Sequence, residues 1–365
     1  MTPAFPIQRR TLVRAAAAAT VSAGPLRALA AAPSRVRYVL AIPTLSVVIS
    51  NQTSIPTALG YYDEESVRVE PVLAGAAGIT GAVQLVASGN QDMGSGSFIP
   101  VMSRAAAGQD LGLTFFYQQI RSYPVEVAVP TDHPARTLAD LRGKLIGVPT
   151  LANEGVAMVE FAARKAGLVP GTDLRVIAVG AGAQAGQALR SGQVAAYVAP
   201  RSQTRQLESL GITLRALPSP PRFKDLFGAS NFVRRDYIAR NRRTVVGVGR
   251  AIAKSTIFLI NNPEAAIRLH WKAFPEQMPQ GGNPDKALQD AMRVMKAQIE
   301  SLSFQDNDGM HKWGYFRPQS LAALIDIFGW TKVQRPQDYF TNDLIDEINA
   351  FDADKIAAQA RSFRV

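Results

Sequence analysis

The chain has 365 residues, no cysteine, three histidines and a formal net charge of +11. Without thiols it has no cysteine nucleophile, zinc–thiolate site or iron–sulfur cluster, and we expect no lipid tether on a cysteine. A chain of this length buries enough apolar surface to fold without disulfides, and it is long enough for two domains or lobes. After the N-terminal region, no segment is long and apolar enough to suggest a transmembrane helix.

The N-terminal residues have the order of an export signal. A pair of arginines at positions 9 and 10 precedes an alanine-rich apolar stretch, and Ala28-Leu29-Ala30 supplies the small residues that a signal peptidase accepts. We predict that residues 1–32 are a cleaved signal peptide and that the mature protein is periplasmic. The arginine pair favours the twin-arginine route, and a general signal that contains two arginines is the alternative.

The positive charge of the chain is spread over its surface rather than gathered in one tract. Removal of residues 1–30 takes away four arginines and no acid, which lowers the formal net charge from +11 to +7. The densest remaining basic cluster lies at residues 234–243. We therefore expect a solvated basic face and no nucleic-acid partner.

In chain order, a first series of alternating strands and helices is predicted between residues 36 and 117. Residues 67–72 alternate apolar and polar positions, as a half-buried strand does. A glycine-rich turn at 75–78 opens a helix, and a second helix begins at Ile99. The predicted strands of this series span residues 36–42, 67–72, 92–94 and 111–117.

A second, similar series is predicted between residues 144 and 198. Residues 150–153 can begin an amphipathic helix that ends at Gly167, and a turn at 180–182 precedes a helix at 184–189. The predicted strands of this series span residues 144–148, 174–179 and 195–198. From Arg242 onward nearly all of the chain is predicted to be helical, and these helices are expected to pack on the first half.

The two series echo each other in sequence. Residues 85–93 (LVASGNQDM) line up with residues 189–197 (LRSGQVAAY) when one gap is allowed. In both copies a helix ends at a glycine that can adopt the left-handed cap conformation, and a short strand follows. Two copies of strand–helix–strand predict an α/β fold with two parallel-rich sheets, each flanked by helices.

The sequence resembles the substrate-binding proteins of nitrate/sulfonate/bicarbonate-type ABC importers, a group that includes thiamine-precursor binders. The resemblance covers essentially the whole mature chain, and it depends on the order of several short pieces. These pieces are Thr44-Leu45-Ser46, Gly60-Tyr61-Tyr62, Gly75-Ala76-Ala77-Gly78, the stretch SGNQD at 88–92, the stretch LADLRGK at 138–144, and the stretch YFTNDL at 339–344. Related eukaryotic pyrimidine-synthesising proteins carry a cysteine-rich motif that this chain lacks, so their chemistry is not transferred.

The resemblance implies a type II-like, two-lobed periplasmic binding protein with a ligand cleft between the lobes. We predict that residues 33–125 together with 226–365 form lobe 1, and that residues 126–225 form lobe 2. The implied partners are a small-molecule ligand and an inner-membrane ABC permease with its ATPase. We expect a monomer without cofactor, bound metal or catalytic activity.

Five strand-to-helix loops are candidates for the ligand site because ligands of such folds lie beyond the carboxyl ends of parallel strands. Helix N-termini there present unpaired N–H groups that suit an anion, and a helix cap without ligand is the alternative for each loop. The candidate residues are Thr44, Leu45, Ser46, Gly75, Gly78, Ser95, Gly96, Ser97, Thr150, Asn153 and Gly182.

Three further side chains are candidates for ligand contact. Arg201 follows a buried strand and could pair with a carboxylate or sulfonate, or it could be a surface arginine. Gln118 and Asn231 flank the predicted crossing segments and could hydrogen-bond either ligand or local backbone. Phe98 and Tyr117 could stack on an aromatic ligand, although core packing is the simpler interpretation.

The sequence therefore predicts a solute-binding protein for a small organic anion, which it binds by lobe closure. Sulfonates and carboxylates are the candidate ligands, aromatic ones among them. An exported enzyme on the same fold is an alternative, although no nucleophile–base pair or metal-ligand spacing is recognisable. A sensor that reports the ligand to a membrane kinase is the other alternative.

Overall fold

Two five-stranded sheets organise the residues that the structure describes. The computed structural model describes residues 32–42, 44–151, 153–279, 283–305, 309–333 and 335–365, without the side chain of Lys224. The predicted signal peptide, apart from its last residue, lies outside these ranges. The strands are β1 (Ser34–Leu40), β2 (Val67–Leu73), β3 (Met93–Gly96), β4 (Leu113–Gln118), β5 (Val125–Pro130), β6 (Lys144–Val148), β7 (Leu174–Ala178), β8 (Ala196–Pro200), β9 (Leu214–Ala216) and β10 (Ser230–Arg234).

The two sheets share one strand arrangement. The first has the order β2-β1-β3-β10-β4 and the second the order β7-β6-β8-β5-β9. In each sheet the first three strands are parallel and the fourth is antiparallel to both of its neighbours. In each sheet the antiparallel strand follows a segment that connects the two sheets. We call these two connections the crossing segments: residues 119–124 lead into β5, and residues 217–229 lead into β10. The sheets are therefore mixed, with the predicted parallel core in each.

Helices cover both faces of the sheets and form most of the C-terminal third. The helices are α1 (Ser54–Ala58), α2 (Tyr61–Glu64), α3 (Gly78–Ala87), α4 (Ile99–Ala106), α5 (Glu154–Lys165), α6 (Ala183–Arg190), α7 (Arg201–Glu208), α8 (Arg235–Asn261), α9 (Pro263–Ala273), α10 (Pro284–Leu302), α11 (Pro318–Phe328), α12 (Ile345–Ile348) and α13 (Ala353–Ser362). Short 3-10 helices lie at Val47–Ile49, Gly75–Ala77, Leu138–Leu141, Pro221–Asp225, Pro275–Gln277 and Pro336–Tyr339. Among these described helices, none combines the length and the apolar character needed to cross a membrane.

The predicted sequence echo is confirmed as a structural one. Helix α3 ends just before Gly89, which has φ +78°, and helix α6 ends just before Gly192, which has φ +71°. Both glycines adopt the left-handed conformation that L-residues with a side chain rarely take. The strand that follows lies parallel beside the middle strand of the three parallel strands of its sheet: β3 beside β1, and β8 beside β6.

The C-terminal helices pack on more of the molecule than the sequence predicts. Helix α8 begins at Arg235, directly after β10, and it packs against strands of the first sheet. Helix α10, however, packs on α9 and also on α7 of the second half. In the latter contact the Arg293 guanidinium lies 3.4 Å from Ser209 Oγ. The expectation that these helices pack on the first half alone is therefore incomplete.

One apolar core runs from the first sheet into the second. It contains Phe115 of β4 and Val198 of β8, together with Phe223 and Phe227 of the second crossing segment. Because residues on both sheets share this core, residues 33–365 form one compact unit.

Candidate functional site

The carboxyl ends of the parallel strands of the two sheets face each other. Ser97, in the loop after β3, lies near the carboxyl group of Glu154, the first residue of α5 after β6, and its hydroxyl lowers the pKa of that carboxyl group. A cavity of about 200 Å³ lies beside this contact. It is lined from the first half by Ile79, Ile99 and Pro100, and from the second half by Leu151, Asn153, Glu154, Val156, Ala157 and Glu160. We refer to it as the cleft cavity.

The loop 95–97 needs its central glycine. A Cβ atom at Gly96 would overlap the Ile79 side chain and lie 3.0 Å from the Cβ of Ala41. The loop can therefore lie close to the N-terminus of α3 only because Gly96 has no side chain. The flanking Ser95 and Ser97 are largely buried, and Ser97 Oγ accepts a hydrogen bond of 3.3 Å from the Ile99 backbone N–H.

A buried set of polar side chains continues from this loop into the first sheet. Asn231 pairs in register with both Ser95 and Tyr117, and the Tyr38 hydroxyl contacts the amide oxygens of Asn231 and Gln52. Burial raises the pKa of Tyr38 well above its usual value, so the phenol stays protonated and remains a donor. Two of the predicted site residues, Ser95 and Asn231, are thus brought together.

Gln118 is the most informative member of this region. It lies beside Ser230, which in turn lies beside Gly96, so the three form one row across the ends of their strands. Its side chain is 1% exposed, and neither Nε2 nor Oε1 has a hydrogen-bond partner among the described residues. The next residue, Gln119, does have a partner, because its Oε1 accepts from Asn231 Nδ2 at 3.4 Å. A buried amide without partners costs stability, and its two donors and its acceptor are unused among the described residues.

Glu154 has a perturbed ionisation. Burial raises the pKa of its carboxyl group, and the nearby Ser97 hydroxyl opposes this shift. The neutral acid is therefore favoured over a wider pH range than for an exposed glutamate. A neutral carboxylic acid can donate as well as accept a hydrogen bond.

Several of the predicted loop residues act as local caps or turns. Ser46 Oγ accepts from Val48 N at 3.4 Å, and Asn153 Oδ1 accepts from Gly155 N at 2.8 Å. Of these two, Asn153 also lines the cleft cavity. Thr44 and Thr150 are exposed, and Leu45 is partly buried against the apolar core of the first half.

The remaining glycines of the predicted loops have left-handed φ angles and open surroundings. Gly75, Gly78 and Gly182 have φ of +58°, +51° and +57°, and a Cβ atom on any of them would meet nothing within 4 Å. The turns require these glycines for their backbone conformation, and there is space beside each of them.

Arg201 is held against the first crossing segment. Its backbone N–H donates to Pro124 O at 2.9 Å, and its Nη2 donates to Tyr123 O at 3.0 Å. It is therefore half-buried rather than a free surface arginine. Phe98 stacks on Phe115 with ring centroids 3.6 Å apart, and the Tyr117 ring lies against Gly314, so for these two rings the core-packing interpretation is right.

The sequence interpretation missed Glu154, Tyr38 and the polar run at residues 50–54. All five side chains of that run are at most 4% exposed. The detectable signal was five consecutive polar residues, SNQTS, between apolar neighbours, which is unusual for a solvent loop that then enters a helix. Glu154 could have been noticed as an acid at the start of a helix that faces the cleft.

Comparison with known proteins identifies the chain. The family model described as NMT1/THI5 like matches residues 55–266, more than half of the chain. The chain belongs to the NMT1/THI5-like family. This confirms the resemblance that the sequence motifs carry, since the solved structures similar to this chain include importer-type binding proteins. No curated protein matches this family member in sequence.

Solved structures similar to this NMT1/THI5-like chain establish its fold. A protein from Bordetella bronchiseptica has a TM-score of 0.66 at 22% identity, over 87% of this chain and 97% of its own. A putative periplasmic sulfonate-binding protein, SsuA, from Methylobacillus flagellatus has a TM-score of 0.58 at 15% identity, over 87% and 94%. The periplasmic nitrate-binding protein NrtA from Synechocystis has a TM-score of 0.59 at 12% identity, over 91% and 99%. The chain therefore has the periplasmic binding protein fold, as predicted.

Proposed function

We propose that this protein is the exported solute-binding component of an ABC importer and that it holds a small organic anion between its two sheets. The observation that carries the proposal is the buried, unpartnered Gln118 amide at the strand ends that face the second half. A binding protein that meets its cargo there leaves such a group unsatisfied when it is empty, and the cargo satisfies it.

Two lobes that move about the crossing segments provide the binding motion. Lobe 1 comprises residues 33–125 and 226–365, and lobe 2 comprises residues 126–225. The Ser97–Glu154 contact and the lining of the cleft cavity belong to the closed arrangement, in which each lobe contributes half of the site. Cargo that touches both lobes favours closure, and the closed form is what the permease recognises.

The groups around the cleft are suited to an anion of modest size. The Gln118 amide and the hydroxyls of Ser95 and Ser97 are donors, Glu154 is a donor when it is protonated, and helix N-termini point to the same region. Arg201 uses one N–H on the Tyr123 carbonyl, and a guanidinium has four more. The names of similar structures, a sulfonate-binding and a nitrate-binding protein, support the same class of cargo.

Export follows from the proposed role. Residues 1–32 direct the chain to the periplasm, with the arginine pair favouring the twin-arginine route, and the mature protein acts as a monomer. Its partners are the cargo, the permease and the ATPase, which supplies the energy of transport.

Native mass spectrometry of the protein purified from its own periplasm tests the proposal. We expect a retained small molecule that is released on unfolding, and calorimetry with sulfonates and carboxylates that yields a saturable, one-to-one isotherm. An Ala157→Phe variant, which fills the cleft cavity, should lose both signals. If the protein carries no guest and binds no member of a broad anion panel, the proposal fails. If candidate cargo molecules are converted on incubation, the enzyme alternative holds instead.

A further inference from the structure

The two crossing segments pair with each other where they join the first sheet. Ile120 N–H donates to Ala229 O at 2.9 Å, and Gly228 N–H donates to Ile120 O at 3.0 Å. A Cβ atom at Gly228 would lie 2.6 Å from Ile120 Cγ2 and 2.9 Å from Pro124 Cδ. The close approach of the two segments therefore depends on the absence of a side chain at residue 228.

A third segment, residues 312–317, runs beside the end of β4 and the first crossing segment. Gln118 N–H donates to Gly314 O at 2.9 Å, and the buried Arg121 guanidinium donates to Lys312 O at 3.4 Å. We refer to residues 312–317 as the brace.

Two asparagine side chains hold the brace in place. Asn349 Oδ1 accepts from Trp313 N–H, and Asn349 Nδ2 donates to Trp313 O, both at 2.9 Å. Asn342, in the stretch YFTNDL, makes the same pair of bonds with the backbone of Phe316, again at 2.9 Å. Each amide therefore binds the backbone as a neighbouring strand would, and the brace is fixed to the C-terminal part of the chain.

Arg317 joins the brace to both crossing segments. Its side chain is 1% exposed. Its Nη2 donates to Arg121 O of the first crossing segment at 3.2 Å and to Asp225 O of the second at 3.4 Å. One buried guanidinium thus links three segments that are remote in the chain. Burial of a charged group costs free energy, so packing alone does not explain an arginine at this position.

The far ends of the crossing segments are attached to the second half instead. Ser122 N–H donates to Ser301 O of α10 at 3.3 Å, whereas Tyr123 O accepts from Arg201 Nη2 of α7 at 3.0 Å. In the second crossing segment, Leu217 N–H donates to a β5 carbonyl at 2.8 Å. Bending is therefore left to the residues between the attachments to one half and those to the other.

We propose that Arg317 is a positioning residue for lobe closure: it holds the crossing segments together at their lobe 1 ends, so that lobe 2 turns about one fixed axis. This inference rests on the proposed movement of the lobes. Among the described residues that line the cleft cavity, Arg317 is absent, so it acts through the crossing segments and not on the cargo.

Spin labels on an Arg68→Cys, Arg175→Cys double variant, at exposed positions of β2 and β7, measure the separation of the lobes. In protein stripped of ligand, Arg317→Met should broaden the distance distribution, because two carbonyls lose their common donor. Arg317→Lys, which keeps the charge, should broaden it less. Arg250→Met is the matched control, since Arg250 also donates to a backbone carbonyl, that of Glu347, but lies on α8 within lobe 1. It should leave the distribution unchanged.

Gly228→Ala tests the same junction without a change at Arg317, and it serves if Arg317→Met does not fold. Its methyl group overlaps Ile120, so it should also broaden the distribution. In Arg317→Met, hydrogen exchange of the Ile120 and Gly228 N–H groups, measured relative to the amides of β1, should be about tenfold faster, as the loss of a charged hydrogen bond implies.

The result that overturns this inference differs from the one that overturns lobe closure. If both junction variants keep the wild-type distribution, or if Arg250→Met broadens it equally, Arg317 has no role in closure even where cargo shifts the wild-type distance. If bound cargo leaves the wild-type distance unchanged, lobe closure itself fails, and the role of Arg317 fails with it.

Discussion

Replacement of Gln118 by methionine should stabilise the empty protein and weaken cargo binding. Methionine has an unbranched side chain of similar length and volume but no group that requires a hydrogen bond. In the wild type, both amide atoms are buried without partners among the described residues. Leaving such a group unsatisfied costs about 1–3 kcal/mol, so we expect the free energy of unfolding to rise by about that amount. Such a gain fits a residue that is retained for binding rather than for stability.

The same substitution, Gln118→Met, should weaken cargo binding although it stabilises the empty protein. Loss of the amide removes its hydrogen bonds to the guest, and a bond to a charged group contributes about 1.5–3 kcal/mol. The dissociation constant should therefore increase tenfold or more. Urea unfolding of protein stripped of ligand measures the stability, and titration calorimetry with the identified cargo measures the affinity.

Gln119 supplies a matched control for this experiment. It is adjacent, similarly buried and of the same residue type, but its Oε1 accepts a hydrogen bond from Asn231. Gln119→Met leaves that Asn231 donor unpaired, so this variant should lose stability where Gln118→Met gains it. Equal destabilisation by both variants would refute the reasoning, because it would mean that the Gln118 amide is satisfied in the empty protein.

Three further predictions address the cleft. Gly96→Ala should lower the free energy of unfolding by about 1–3 kcal/mol in urea titrations, because the added methyl group overlaps Ile79. A second change, Ile79→Val, should recover part of this loss. If Gly96→Ala costs no stability, residue 96 does not lie against Ile79. Because the pKa of Glu154 is raised, its contribution to stability is present below the ordinary glutamate pKa and is lost as the pH rises through its pKa in the folded protein. The affinity for the anion should fall over the same pH interval. A Glu154→Gln variant with the same pH profile as the wild type would contradict this. Arg201→Ala should raise the dissociation constant for the anion tenfold or more in calorimetry, and Arg201→Lys is the control that keeps the charge. An unchanged dissociation constant would mean that Arg201 only donates to the Tyr123 carbonyl and does not contact the anion.

The parts of the fold that local sequence determines were predictable. Alternation of apolar and polar residues predicted the strand at 67–72, short buried runs predicted others, and the glycines at 89 and 192 marked equivalent helix ends in the two halves. These signals involve residues only a few positions apart. The antiparallel insertion of β10 between β3 and β4 was not predictable, because it pairs segments more than a hundred residues apart.

The candidate site was only partly predictable for the same reason. Residues such as Ser46 and Asn153 cap short helical segments whether or not a ligand is present, so their type alone does not separate the two roles. The decisive features are non-local. Glu154 faces Ser97 across the two halves, and Gln118 is set apart from Gln119 only by what surrounds each amide.

Closure of two lobes on a guest is tested most directly by a distance between spin labels on the two sheets. The chain has no cysteine, so an Arg68→Cys, Arg175→Cys double variant accepts labels only at exposed positions on β2 and β7, the outer strands of their sheets. Addition of the cargo to stripped protein should shift the distance distribution and narrow it, and the added Ala157→Phe change should prevent this. An identical distribution with and without cargo that calorimetry shows to be bound would contradict the account.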